Sequence, residues 1–137
     1  MCLEVIYDVD GLEVRTGFDN PRARLPLRRR RGGGVLLLPW GRRPGQRGAL
    51  PSGGWARLES IRGGEWDCWF PRPVKLPVQR FAERDGLGTV HWYEVTRGHW
   101  IQGLLAREGD EQRVYVVTLA PTRLDAACDR WPRILSG

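Results

Sequence analysis

Cys2 stands directly behind the initiator methionine, and that position carries a chemistry that an internal cysteine lacks. Methionine is normally trimmed ahead of so small a residue. Its removal leaves an α-amine and a thiol on one carbon skeleton. The amine, with an ordinary pKa of ~7.7–8.0, is partly unprotonated and nucleophilic near neutral pH. Such a 1,2-aminothiol condenses with an aldehyde to an imine, and the thiol then closes a thiazolidine ring. The other candidates offer less. Cys68 and Cys128 share no close spacing with Cys2, so the cysteines suggest neither a disulfide framework nor a zinc site. His91 and His99, eight residues apart on successive strands, suit packing better than a metal. Gly32-Gly33-Gly34 lacks the phosphate-loop spacing, and no Lys-Ser/Thr pair follows it. Ser52, Ser60 and Ser136 sit in no nucleophile-elbow context. Neither a metal nor a cofactor is expected.

The charge balance points to an anionic partner. The chain holds 22 basic and 16 acidic residues, a net charge of +6, and every basic residue except Lys75 is an arginine. A guanidinium fork grips phosphate and stacks on bases better than an ammonium does. A GC-rich coding sequence would produce the same preference for Arg over Lys, but the positive sign itself favours a polyanion. Arg28-Arg29-Arg30-Arg31 cannot all face a core and reads as an exposed loop or strand edge, either solvated or on phosphate. Most of the seven tryptophans are expected to anchor core and loops. Trp40, beside Arg42 and Arg43, is the best placed to stack on a base.

With 137 residues and 41% hydrophobic content the chain suits one domain, residues 1–137, with a modest core. No basic-then-apolar leader opens it, and its apolar runs are too short to span a membrane. A cytoplasmic protein with reduced thiols and no membrane partner is expected. Cys2 to Val14 reads as a hairpin turning at Asp10-Gly11. Asn20 to Gly34 reads as a Pro-, Arg- and Gly-rich connection. Val35–Leu38 reads as a short, fully buried strand, followed by an ordered loop from Pro39 to Gly45. Ala56–Ile61 suits a short extended segment, Gly63–Pro77 stays unassigned, and Val78–Asp85 suits one or two helical turns. Thr89–Val95, His99–Ala106 and Arg113–Leu119 read as a three-stranded meander with turns at Arg97-Gly98 and Glu108-Gly109-Asp110. Thr122 with Asp125 suggests the start of a short helix that Trp131-Pro132 ends.

From end to end, the order and spacing of short motifs resemble the SOS-response-associated peptidase (SRAP) family. Met1-Cys2 matches the family's start. Phe18-Asp19-Asn20-Pro21 resembles its Tyr-Asn-x-x-Pro segment, and Leu38-Pro39-Trp40-Gly41-Arg42-Arg43-Pro44 its Trp-Gly-Leu-x-Pro loop. Ala56-Arg57-Leu58-Glu59 is similar to Asn-Ala-Arg-x-Glu, and His91-Trp92-Tyr93-Glu94 to Gly-Phe-Tyr-Glu-Trp. Gln102-Gly103-Leu104 stands for Ala-Gly-Leu, and Val116-Val117-Thr118 for the strand ending in Thr. Cys128-Asp129-Arg130-Trp131-Pro132-Arg133-Ile134-Leu135 resembles the terminal His-x-Arg-Met-Pro-Val-Ile-Leu. Arg62 to Leu87 matches poorly. Two polar positions of the family differ: its Asn before Ala-Arg is Trp55, and its His is Cys128.

The resemblance implies an α+β fold of mostly antiparallel strands, barrel-like or bifurcated, with one or two short helices. It implies recognition of abasic sites in single-stranded DNA and covalent capture through Cys2, with self-removal of Met1. Glu94 would handle protons, and Cys128 would occupy the histidine's place. Arg57, Trp40, Arg42, Arg43, Asn20 and Arg130 would meet nucleic acid. Two other readings stand beside it: a degenerate relative that binds single-stranded DNA without cross-linking, and an unrelated Arg-rich nucleic-acid-binding module whose Met-Cys start is accidental.

Overall fold

The computed structural model describes residues 2–120 and 130–137. In chain order its strands are β1 (Cys2–Val9), β2 (Leu12–Gly17), β3 (Arg24–Arg28), β4 (Val35–Pro39), β5 (Trp55–Arg57), β6 (Arg72–Leu76), β7 (Arg80–Arg84), β8 (Val90–Glu94), β9 (His99–Glu108), β10 (Glu111–Leu119), β11 (Trp131–Pro132) and β12 (Ile134–Ser136). One α-helical turn, α1 (Leu58–Arg62), follows β5, and a 3₁₀ turn covers Asp67–Trp69. The chain is thus mostly antiparallel β with very little helix. No helix among the described residues is long and apolar enough to cross a membrane.

The first sheet has the order β2-β1-β7-β8. Its opening hairpin turns at Asp10-Gly11, both at positive φ (52° and 81°). That primed geometry matches the right-handed twist of two strands joined by two residues. One face of the sheet is apolar: Val5 and Tyr7 of β1 and Phe81 of β7 are buried in the main core, with Val9, Val14 and Tyr93 packed against it. The opposite face carries Glu4, Glu13, Arg15, Arg80 and Glu94, and Arg15 pairs with Glu4 there, as Arg80 does with Glu13.

The second sheet is built on β9 and β10 and is buried on both faces. Val114 and Val116 join the main core, whereas Tyr115 and Val117 join a second cluster with Leu50, Ala56, Trp66, Leu104 and Ala106. The uninterrupted apolar run Val114-Tyr115-Val116-Val117 is thereby covered on two sides. β9 pairs with β10 along one edge and β6 along the other. Beyond Gly103 and Val116 the β9–β10 pairing ends, and the C-terminal segment enters the gap. Pro132 pairs with Thr118, and Ile134 with Ile101. Between them the Arg133 N–H donates to the Val117 carbonyl while the Arg133 carbonyl accepts from the Gln102 N–H, both at 2.8 Å. The sheet therefore forks, and no ladder among the described residues closes into a barrel.

Several expectations change. Val78–Asp85 holds strand β7, not helical turns: Ala and Glu favour helix locally, but β1 and β8 take both edges of the segment, and pairing overrides propensity. The three-stranded meander reduces to the β9–β10 hairpin, because β8 pairs with β7 in the other sheet. The connection from Asn20 to Gly34 contains β3, which forms a hairpin with β4. Val35–Leu38 is only partly covered, and Leu36 is exposed. The unassigned stretch contains β6. The helix starting at Thr122 lies outside the described residues.

Candidate functional site

Cys2 begins β1 and stands opposite Glu83 of β7 in the antiparallel register, with a bulge between Cys2 and Glu4. Directly opposed residues in such a pair lie about 4.5–5.5 Å apart at Cα. Glu83 follows Phe81 by two, so strand alternation turns its carboxyl to the inner face, where it is fully buried. Burial pushes that carboxyl up to about 7. Both protonation states are then populated near neutral pH, which a group that gives and takes protons requires. Opposite Glu83 on the other edge of β7 stands His91. Its Nε2 lies 2.7 Å from Asp85 Oδ2, and that hydrogen bond, with those from the Thr89 and Leu87 N–H groups, holds the Asp85 carboxyl below its ordinary value.

Glu94 is not brought to Cys2. It is exposed at the end of β8, opposite Arg80 on the outer face of the same sheet. Tyr93, one residue earlier, points inward and stacks on Phe81 at 5.6 Å between ring centroids. Glu83 escapes the sequence reading because its segment reads as helix. The signal that could have found it is the strand-like spacing of Phe81 and Glu83.

The residues expected to grip nucleic acid divide into structural and accessible groups. Trp40 is fully buried, donates from Nε1 to the Gly54 carbonyl at 3.0 Å and packs edge-on against Phe18 and Trp55. No base can reach its face. Arg43 lies over the Phe18 ring at 4.0 Å and donates to the Phe18 and Trp40 carbonyls. Arg42 donates to the Leu50 and Gln46 carbonyls and to Ser52 Oγ. Arg42 thus ties down the loop from Trp40 to Gly54, and Arg43 fastens that loop to the Phe18 turn. Gly41 completes that loop: it sits at φ 60°, and a Cβ there would fall 2.1 Å from the Gly53 carbonyl oxygen. Asn20 is exposed but caps its own turn, accepting from the Arg22 N–H at 2.9 Å.

Arg57 and Arg130 meet at one place. Arg57 pairs with Thr118 through β5 and β10 and is exposed. Arg130 donates to the Thr118 carbonyl at 2.9 Å, to Thr118 Oγ1 at 3.2 Å and to the Glu59 carboxylate. The Arg130 hydrogen bond is the main cause that lowers the Glu59 carboxyl to about 2. Arg130 is therefore a buttress, and Arg57 keeps the accessible guanidinium. Next to Arg130, Trp131 packs on Phe81 and Tyr93 at 5.3 and 5.0 Å, which joins the terminal motif to the strand bearing Glu83. Cys128 lies outside the described residues. Trp55 is half-buried against Phe18, with ring centroids 4.8 Å apart.

Among the described residues no group of three or more His, Cys, Asp or Glu side chains could hold a metal ion. Comparison of the chain with models of protein families, with curated proteins and with solved structures returns no match.

Proposed function

We propose that this protein captures abasic sites of single-stranded DNA covalently through Cys2, in the cytoplasm, with Glu83 carrying the protons. The observation that carries the reading is the register pairing of Cys2 with a buried glutamate whose carboxyl titrates at about 7. An open abasic sugar presents an aldehyde. The Cys2 α-amine, freed by loss of Met1, adds to its carbon. The carbinolamine loses its hydroxyl as water and leaves an imine. The thiol sulfur then adds to the imine carbon, and the thiol proton ends on nitrogen. Aldehyde and aminothiol thus give a thiazolidine and one water. Glu83 accepts a proton from the attacking amine as a carboxylate and returns one to the departing hydroxyl as an acid. Arg57 is the accessible cation that can hold a flanking phosphate.

The test is incubation with a single strand bearing one abasic site, read on a denaturing gel, with the intact mass of the protein measured alongside. Wild type is expected to lack Met1 and to give a shifted band. Cys2→Ala should give none, and Cys68→Ala, at an exposed thiol elsewhere, should keep it. Glu83→Gln should slow adduct formation roughly a hundredfold or more. A band that survives Cys2→Ala, or a retained methionine, overturns the reading.

A further inference from the structure

An open groove of about 610 Å³ lies between the β3–β4 hairpin and β6. One wall carries Arg28, Arg29 and Arg30. The other carries Arg72 and Lys75, and no carboxylate lines either. Among the described residues none of these five cations makes an ion pair. The floor is aliphatic, with Leu27, Val74 and Leu105. At Arg72 and Leu105 the groove runs on into a smaller one bounded by Phe70 and Arg107. Phe70 is 61% exposed, with Arg107 at 4.8 Å from its ring centroid.

Part of this has a simpler cause. β6 pairs only with β9 among the described residues, and charge with a proline, here Pro73, keeps a free strand edge from pairing with other chains. That accounts for Arg72 and Lys75. It does not account for three arginines facing them across the gap, since like charges gathered without counter-charge repel. An elongated anion laid between the walls relieves that repulsion. A polyanion with flat faces also uses the exposed ring at the end, because bases stack on aromatic side chains while guanidiniums take the phosphates.

We infer that the groove between the β3–β4 hairpin and β6, ending at Phe70, is a docking track for the backbone of single-stranded nucleic acid, separate from Cys2 and Glu83. The partner is the one proposed above, but the track needs no aldehyde, so an intact strand tests it apart from the covalent chemistry. Five phosphate contacts give a log–log salt slope of about −3.5, at about −0.7 per contact. A fourfold rise in salt should then weaken binding of an intact oligonucleotide about 100-fold. In the combined variant Arg28→Gln, Arg30→Gln, Arg72→Gln the same rise should cost only about sevenfold, as two contacts remain. Phe70→Ala should weaken binding by roughly 5- to 150-fold, the range for loss of one stacked base. All four positions are exposed, so circular dichroism should match wild type, and the melting temperature should stay level in Phe70→Ala and stay level or rise in the triple variant, which loses like charges. Cys2→Ala should bind the intact strand as wild type does. An unchanged salt slope in the triple variant, competition by polyglutamate equal to that of the oligonucleotide, or loss of binding in Cys2→Ala would overturn the inference.

Discussion

Replacing Glu83 by Gln should raise stability at alkaline pH while slowing the chemistry. The carboxyl is fully buried and its pKa is raised from 4.5 to about 7, chiefly by burial. A raised acid binds its proton more tightly in the folded chain than in the unfolded one. Its contribution is therefore fully present below about pH 4.5 and is lost as pH climbs through 7. At 1.36 kcal/mol per pH unit the interval corresponds to about 3 kcal/mol. Glutamine imitates the protonated carboxyl and does not ionise. Near pH 4 the two proteins should differ little, and from pH 7.5 upward Glu83→Gln should be more stable by about 3 kcal/mol. Urea unfolding followed by tryptophan fluorescence at several pH values measures this. Parallel stability curves for wild type and variant between pH 4 and 8 would refute the argument that burial holds this carboxyl near neutrality. Set beside the slower adduct formation, the opposite sign in stability marks a group kept for chemistry at a cost to the fold.

Two further substitutions separate the inner face from the outer one and structure from recognition. Glu94→Gln, at an exposed position on the outer face, should change stability by less than about 0.5 kcal/mol and leave the adduct rate unaltered; a lost adduct on the denaturing gel would reject Glu83 as the proton carrier. Trp40→Phe removes the indole donor to the Gly54 carbonyl and leaves a small void, so unfolding free energy should fall by about 2 kcal/mol with no change in affinity for single-stranded DNA in a titration below the melting temperature.

Several elements were legible in the sequence because their signals are local. Asp10-Gly11 demands positive φ at both residues, and that alone sets the opening hairpin. Arg113–Leu119 was legible as a strand from its β-branched and aromatic residues, but its cover on both faces was not, since the equally apolar Val35–Leu38 is only partly covered. The exposure of Arg28 to Arg31 was legible too, since four successive cations cannot be buried. Position decides the rest. Arg42 and Arg43 have the same composition as a phosphate grip, yet the loop folds back and its carbonyls take their donors first. Trp40 has the same ring as a base-stacking platform, yet it fills the space between β10 and the Phe18 turn. Arg72 and Lys75 become one feature with Arg28 and Arg30 only because β3 and β6, distant in sequence, lie side by side. The choice between Glu83 and Glu94 shows the cause most plainly. Both are strand glutamates, and a side chain's face depends on the parity of its place in the ladder. That parity is set by which residues β1 and β8 pair with on either edge of β7, a long-range register that no local pattern contains.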